Sequence, residues 1–138
     1  HDPVDLGEKV RRAAGRRGPK LFLSLAVCPT GWGFEPRLSD EIARLAVDTG
    51  VWPLKEAVDG VVRHTVVPDR FRPVEEYLHP QRRFRHLFEP TRRDEMLDRI
   101  QAEFDHYWAA VPPTHEPAGT VARPNAQDER RALPREAP

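Results

Sequence analysis

Cysteine is nearly absent from this sequence: Cys28 is the only one. A single thiol excludes an internal disulfide framework and fits a reducing, cytoplasmic compartment. An excess of one charge is missing as well. Lys+Arg and Asp+Glu both number 22, so the formal net charge is zero. Nucleic-acid binding that relies on a positive field is therefore not expected. No apolar run approaches the roughly 20 residues that span a bilayer, and no secretory signal pattern opens the chain. A membrane partner is not expected either. The motifs of self-contained sites are also missing. There is no H-E-x-x-H, C-x-x-C or G-x-S-x-G, and no Gly-rich phosphate loop. The six histidines are scattered, and His86 and His106 do not form an i, i+4 pair. The sequence starts at His1 without Met and reads from its first residues like a piece of something longer.

What is present suits one modest α/β domain. The chain is 38% apolar and 32% charged. Fifteen prolines, crowded toward the second half, argue for loops and tails. Asp2 or Asp5 can cap a first helix, with Pro3 in its opening turn. Leu6, Val10, Ala13 and Ala14 recur at helical spacing, and Gly15 and Gly18 close the element. Its Arg-rich outer face reads as solvated. Leu21–Val27 is a continuous apolar run, the pattern of a strand buried on both faces of a parallel sheet. Ser39 is a good N-cap for a helix whose Ile42, Leu45, Ala46 and Thr49 share one face, with Gly50 as its left-handed terminator.

Asp59-Gly60 between the β-rich runs Val51–Val58 and Val61–Val67 predicts a hairpin. Val74–Leu78 and Gln81–Leu87 read as short helical pieces. The second is basic around an aromatic, which suits either RNA or phosphate contact or an amphipathic piece burying Phe84 and Leu87. Asp94–Val111 carries Leu97, Ile100, Phe104, Tyr107, Trp108 and Val111 as one apolar stripe. From Pro112 the chain has almost no large apolar residue and is expected to be a disordered tail.

Cys28 ends the apolar run and enters a Gly/Pro turn. Ligands in open α/β sheets sit beyond the carboxyl ends of strands. Three readings stand side by side. Cys28 is a small buried hydrophobe at a strand end, the outcome that spacing alone favours. Or it is a nucleophile, although no His or Asp sits at an informative position. Or it is a metal or cluster ligand whose partner thiolates lie elsewhere.

The stretch Ala26-Val-Cys-Pro-Thr-Gly-Trp-Gly-Phe34 resembles a motif in the C-terminal part of the thiamine-diphosphate-binding β subunit of pyruvate:ferredoxin oxidoreductases. Related 2-oxoacid:acceptor oxidoreductases share it. Pro3–Lys9, Glu41–Leu54, Arg72–Leu78 and Gln81–Leu87 are similar to that family in the same order.

The resemblance implies a division of the chain. Residues 1–67 are the C-terminal part of a Rossmann-like, thiamine-diphosphate-binding domain with a hairpin excursion. Residues 68–111 are a helical extension, and 112–138 are the tail. It implies that Cys28 is one of four thiolate ligands of a 4Fe–4S cluster, with Thr30, Gly31 and Trp32 as hydrogen-bonding neighbours of the sulfur. Thiamine diphosphate and Mg²⁺ are implied too, bound mainly outside this chain.

The implied reaction is CoA-dependent oxidative decarboxylation of a 2-oxoacid, first of all pyruvate, giving acyl-CoA, CO₂ and reduced ferredoxin. The implied partners are the rest of the β subunit, the other oxidoreductase subunits and ferredoxin. No catalytic residue is assigned within this chain, and it is expected to be inactive alone. The other reading is a non-catalytic interaction module derived from such a subunit, with Cys28 structural and the Phe104/Trp108 stripe docking a partner.

Overall fold

The computed structural model describes residues 2–111. The expected tail, 112–138, lies outside the described residues. The first helix, α1, spans Pro3–Ala14. The Asp2 carboxylate caps it by accepting the Asp5 N–H at 2.9 Å, and Pro3 fills the first turn. None of its residues is buried, and Val4, Leu6 and Val10 face outward. Arg12 and Arg16 tie it to the hairpin through Glu56 and Asp59.

Residues 21–27 do not form the expected buried strand. Among the described residues the segment pairs with no strand, and Leu21 is 85% and Leu23 72% exposed. The physical reason is simple. A strand needs neighbours on both sides for its N–H and C=O groups, and the only strands among the described residues pair with each other. Only Leu25 and Val27 touch the core.

A single-turn helix, α2 (Pro29–Trp32), follows Cys28, and a 3₁₀ turn at Pro36–Leu38 leads into α3 (Ser39–Asp48). Ser39 does not cap α3 as expected. It is already helical, and its hydroxyl donates to the Pro36 carbonyl at 2.7 Å. The Pro36 turn had claimed it first. Gly50 does adopt the left-handed conformation that ends the helix.

The expected hairpin is present as β1 (Leu54–Val58) and β2 (Val61–Val66), an antiparallel pair. Asp59 and Gly60, at φ +51° and +81°, make the tight turn that Asp-Gly favours. Next come α4 (Val74–Leu78), a 3₁₀ segment at Arg82–Leu87 and α5 (Asp94–Ala109).

One hydrophobic core holds these pieces together. Ile42, Leu45 and Ala46 of α3 meet Val74, Tyr77 and Leu78 of α4, with Leu87 and Leu97 beside them. It draws side chains from both sides of residues 67 and 68. The α5 stripe is spent inside this chain. Leu97 is buried, while Ile100 and Phe104 pack on the core. Trp108 lies on Phe71, with ring centroids 4.6 Å apart, and donates its indole N–H to the Gly50 carbonyl at 3.0 Å. The stripe is thus engaged within this chain, with only Leu97 fully buried. No helix of the described residues is long and apolar enough to cross a membrane.

His64 of β2 closes the contact between hairpin and α5. Its Nε2 lies 2.8 Å from the Tyr107 hydroxyl, and its ring packs on Trp108. Burial, aided by the Lys55 charge, holds the imidazole below its usual pKa. Between the lowered and the ordinary value the unfolded chain binds more protons. Stability is therefore full above the ordinary histidine pKa and is lost as pH falls from there through the lowered folded-state value. Thermal melts between pH 7.5 and 5.5 are expected to show a steeper loss of Tm in the wild type than in His64→Asn. Equal slopes would remove His64 from the account.

Candidate thiolate site

Cys28 stands at the N-cap of α2 with extended backbone dihedrals. It is exposed, contrary to the buried position that spacing favours. The cause lies in the preceding segment. Without sheet neighbours the strand end is not enclosed, and alternation turns Val27 inward and Cys28 outward. The Gly31 N–H donates to the sulfur at 3.3 Å. A Cβ at residue 31 would sit 3.2 Å from the same sulfur, so glycine gives the amide its approach. The turn is closed by Trp32 N–H to the Cys28 carbonyl at 2.9 Å and Gly33 N–H to the Pro29 carbonyl at 2.8 Å. Gly33, at φ +72°, then reverses the chain.

Of the three residues expected around the sulfur, Gly31 alone donates to it. The Trp32 amide is spent on the Cys28 carbonyl, and Thr30 is an exposed residue of the same turn.

The loop is braced from the far side of the sequence. Arg82 N–H donates to the Gly33 carbonyl at 3.2 Å. The Arg83 guanidinium lies 3.9 Å from the centre of the Trp32 ring and 4.6 Å from that of Phe84. Its Nε donates to the Gln81 side-chain oxygen at 2.8 Å, and Nη2 donates to the Tyr77 hydroxyl at 3.3 Å. Gln81 is fully buried and donates its amide to the Tyr77 carbonyl. Gln81–Leu87 appeared in the sequence only as a basic amphipathic piece. Leu87 is indeed buried and Phe84 partly so. Nothing in the spacing linked Arg83 to Trp32, because their contact is purely tertiary.

The chemistry open to this arrangement is narrow. Among the described residues no acid or base side chain hydrogen-bonds the Cys28 sulfur, so they supply no nucleophile–base pair of a thiol enzyme. Among the described residues no group of three or more His, Cys, Asp or Glu is placed to hold a metal ion. What the loop offers is one accessible thiol with a backbone N–H aimed at its sulfur. That donor set fits a single ligand position on a thiolate-bound metal or cluster, where hydrogen bonds to sulfur adjust the potential. An open groove of about 600 Å³ lies between Glu41, Leu45, Arg72 and His79. None of residues 28–33 lines it, and its Glu75 and Glu76 carboxylates are already paired with Arg92 and Arg72.

No protein-family model matches the chain. Individual relatives do. Pyruvate synthase subunit PorB of Methanocaldococcus jannaschii is 45% identical over 103 residues, covering 75% of this chain and 33% of the relative. The subunit of the same name from Methanothermobacter thermautotrophicus is 47% identical over 103 residues, covering 73% of this chain and 36% of the relative. Ketoisovalerate oxidoreductase subunit VorB of Pyrococcus furiosus is 37% identical over 87 residues, covering 62% and 28%. The chain thus spans about a third of the length of the curated relatives it matches. Over about three-quarters of its own length, and at these identities, this chain is similar to part of the pyruvate synthase subunits named PorB.

Proposed function

We propose that this chain is the C-terminal part of a 2-oxoacid:ferredoxin oxidoreductase β subunit and that Cys28 supplies one of the four thiolates of a 4Fe–4S cluster. The observation that carries this reading is the loop itself. An exposed sulfur on a residue of extended backbone receives the Gly31 N–H, at a position where a Cβ would press on that sulfur at 3.2 Å. A core cysteine needs neither feature. The relatives named for pyruvate and ketoisovalerate enzymes support the reaction class.

The other three thiolates are assigned to the part of the subunit that the relatives have and this chain does not span. Thiamine diphosphate and Mg²⁺ are assigned there as well, since no metal-holding group occurs among the described residues. The bound cluster would accept electrons one at a time during CoA-dependent oxidative decarboxylation of a 2-oxoacid. This chain's own residues hold and position. Cys28 presents its sulfur, Gly31 donates to it, and Gly33 closes the loop. The segment Leu21–Val27, apolar on both faces and largely exposed, is suited to lie between strands of the remaining sheet. Pyruvate is the substrate proposed first. By itself the chain is proposed to be inactive.

The competing reading, an interaction module with a structural cysteine, is not favoured. The thiol is exposed, and the α5 stripe meant for the partner is packed internally.

The test is anaerobic reconstitution of the chain with the remainder of the β subunit, in wild-type form and as Cys28→Ala. Visible absorption and EPR report the cluster. Wild type is expected to assemble a 4Fe–4S centre, and Cys28→Ala to lose most of that signal. Equal cluster content in both samples would overturn the ligand assignment.

A further inference from the structure

The Cys28 loop makes few contacts that fix it. It follows an unpaired segment, consists of one helical turn, and has an exposed thiol. A ligand loop of that kind needs support from another part of the fold if its sulfur is to be held in one place. The Arg82 N–H to the Gly33 carbonyl braces its far end and Trp32 leans on the core; the Trp32 ring itself is gripped by Arg83.

Arg83 differs from most arginines here. Arg12, Arg37, Arg72, Arg85 and Arg92 each meet a carboxylate. Arg83 meets only uncharged partners among the described residues: the Gln81 side-chain oxygen, the Tyr77 hydroxyl and the faces of Trp32 and Phe84. Two of these are anchored in the core, since Gln81 and Tyr77 are buried. The guanidinium is thus held from below by hydrogen bonds and placed over the Trp32 ring, 3.9 Å from its centre. Trp32 in turn carries the amide that closes the loop on Cys28. A planar fork that hydrogen-bonds at its edge and stacks by its face is what arginine provides and lysine does not.

We propose that Arg83 is a positioning residue for Cys28, transmitting the rigidity of the α4 core through Trp32 to the loop that presents the thiol. Its role toward a cluster rests on the reading that Cys28 is a ligand; its role toward the loop does not. The two are tested separately.

The first measurement is residue-resolved amide hydrogen exchange on the full chain without metal, comparing wild type, Arg83→Met and Arg83→Lys. The amides of Gly31, Trp32 and Gly33 report the loop directly, because each closes one of its hydrogen bonds. In Arg83→Met these three are expected to exchange about two- to fivefold faster, the effect of losing an exposed cation–aromatic contact. Thr49, bonded to Leu45 at the end of α3, is expected to keep its wild-type rate. Arg83→Lys should fall between. A uniform acceleration, or none, would overturn the proposal.

The second measurement is the EPR line shape of the cluster in the reconstituted β subunit, with Cys28→Ala run alongside. If Cys28→Ala removes the cluster, Arg83→Met is expected to retain it with an altered line shape and faster loss of iron to a chelator. An unchanged line shape and iron-loss rate would overturn the role toward the cluster, whatever the exchange data show. If Cys28→Ala keeps the cluster intact, the ligand reading fails while the loop result stands or falls by itself.

Discussion

Gly50→Ala is expected to destabilise the chain by about 3 kcal/mol, lowering Tm by roughly 12–20 °C. Two penalties act together. Gly50 holds φ +74°, a conformation that costs a side-chain-bearing residue about 1–3 kcal/mol. A Cβ there would also overlap the Trp108 indole nitrogen and lie 3.1 Å from Phe71. Trp108 has little room to retreat. It is stacked on Phe71, packed on His64 and bonded to the Gly50 carbonyl itself. Overpacking of this kind adds about 1–3 kcal/mol. Thermal and urea unfolding measure the sum, and Trp108→Phe in the same background should recover part of it by making space. A loss below about 0.5 kcal/mol would mean that the α5 end is not seated as described.

Gly33→Ala is expected to cost about 2–3 kcal/mol and to release the brace from the cysteine loop. Here too φ is positive, at +72°, but the obstacle is different. The new Cβ would lie 2.7 Å from the Arg82 Cβ, an atom fixed to the backbone and unable to swing aside. The Arg82 N–H to Gly33 carbonyl bond, at 3.2 Å, would have to open. Gly60 supplies the control. It has φ +81° with nothing within 4 Å of the added Cβ, so Gly60→Ala feels backbone strain alone. Urea unfolding of both variants separates the two effects. Equal losses would show that the brace yields freely and does not constrain the loop.

The parts of this fold that were legible in the sequence depend on local rules. α5 follows from a 3.6-residue apolar period, and the hairpin from Asp59-Gly60 between the β-rich runs Val51–Val58 and Val61–Val67. The end of α3 follows from a glycine at the left-handed position. The start of α3 was not legible to the residue. A serine before an apolar period reads as a cap, whereas the Pro36 turn had already made Ser39 helical. Leu21–Val27 failed for another reason. Its pattern is that of an internal strand, but a strand is made by its neighbours, and none pairs with it here. The same absence left Cys28 exposed where spacing favoured burial. The resemblance pointed to the cysteine loop, and the structure added how it is built. Arg83 on Trp32 and Gln81 beneath Arg83 bring together distant parts of the chain, and no periodicity encodes such contacts.

The outward-facing Leu21–Leu23 segment also bears on how this chain behaves without its companions. An exposed apolar stretch that pairs with no strand among the described residues is a template for a strand that meets it. A second copy of the chain presents the same edge, in a form that can pair with itself. Colloidal behaviour is therefore expected to follow this segment: exposed Leu21, Phe22 and Leu23 favour association of separate copies. Changes to the α3–α5 core would leave that tendency untouched, because it resides in Leu21–Leu23.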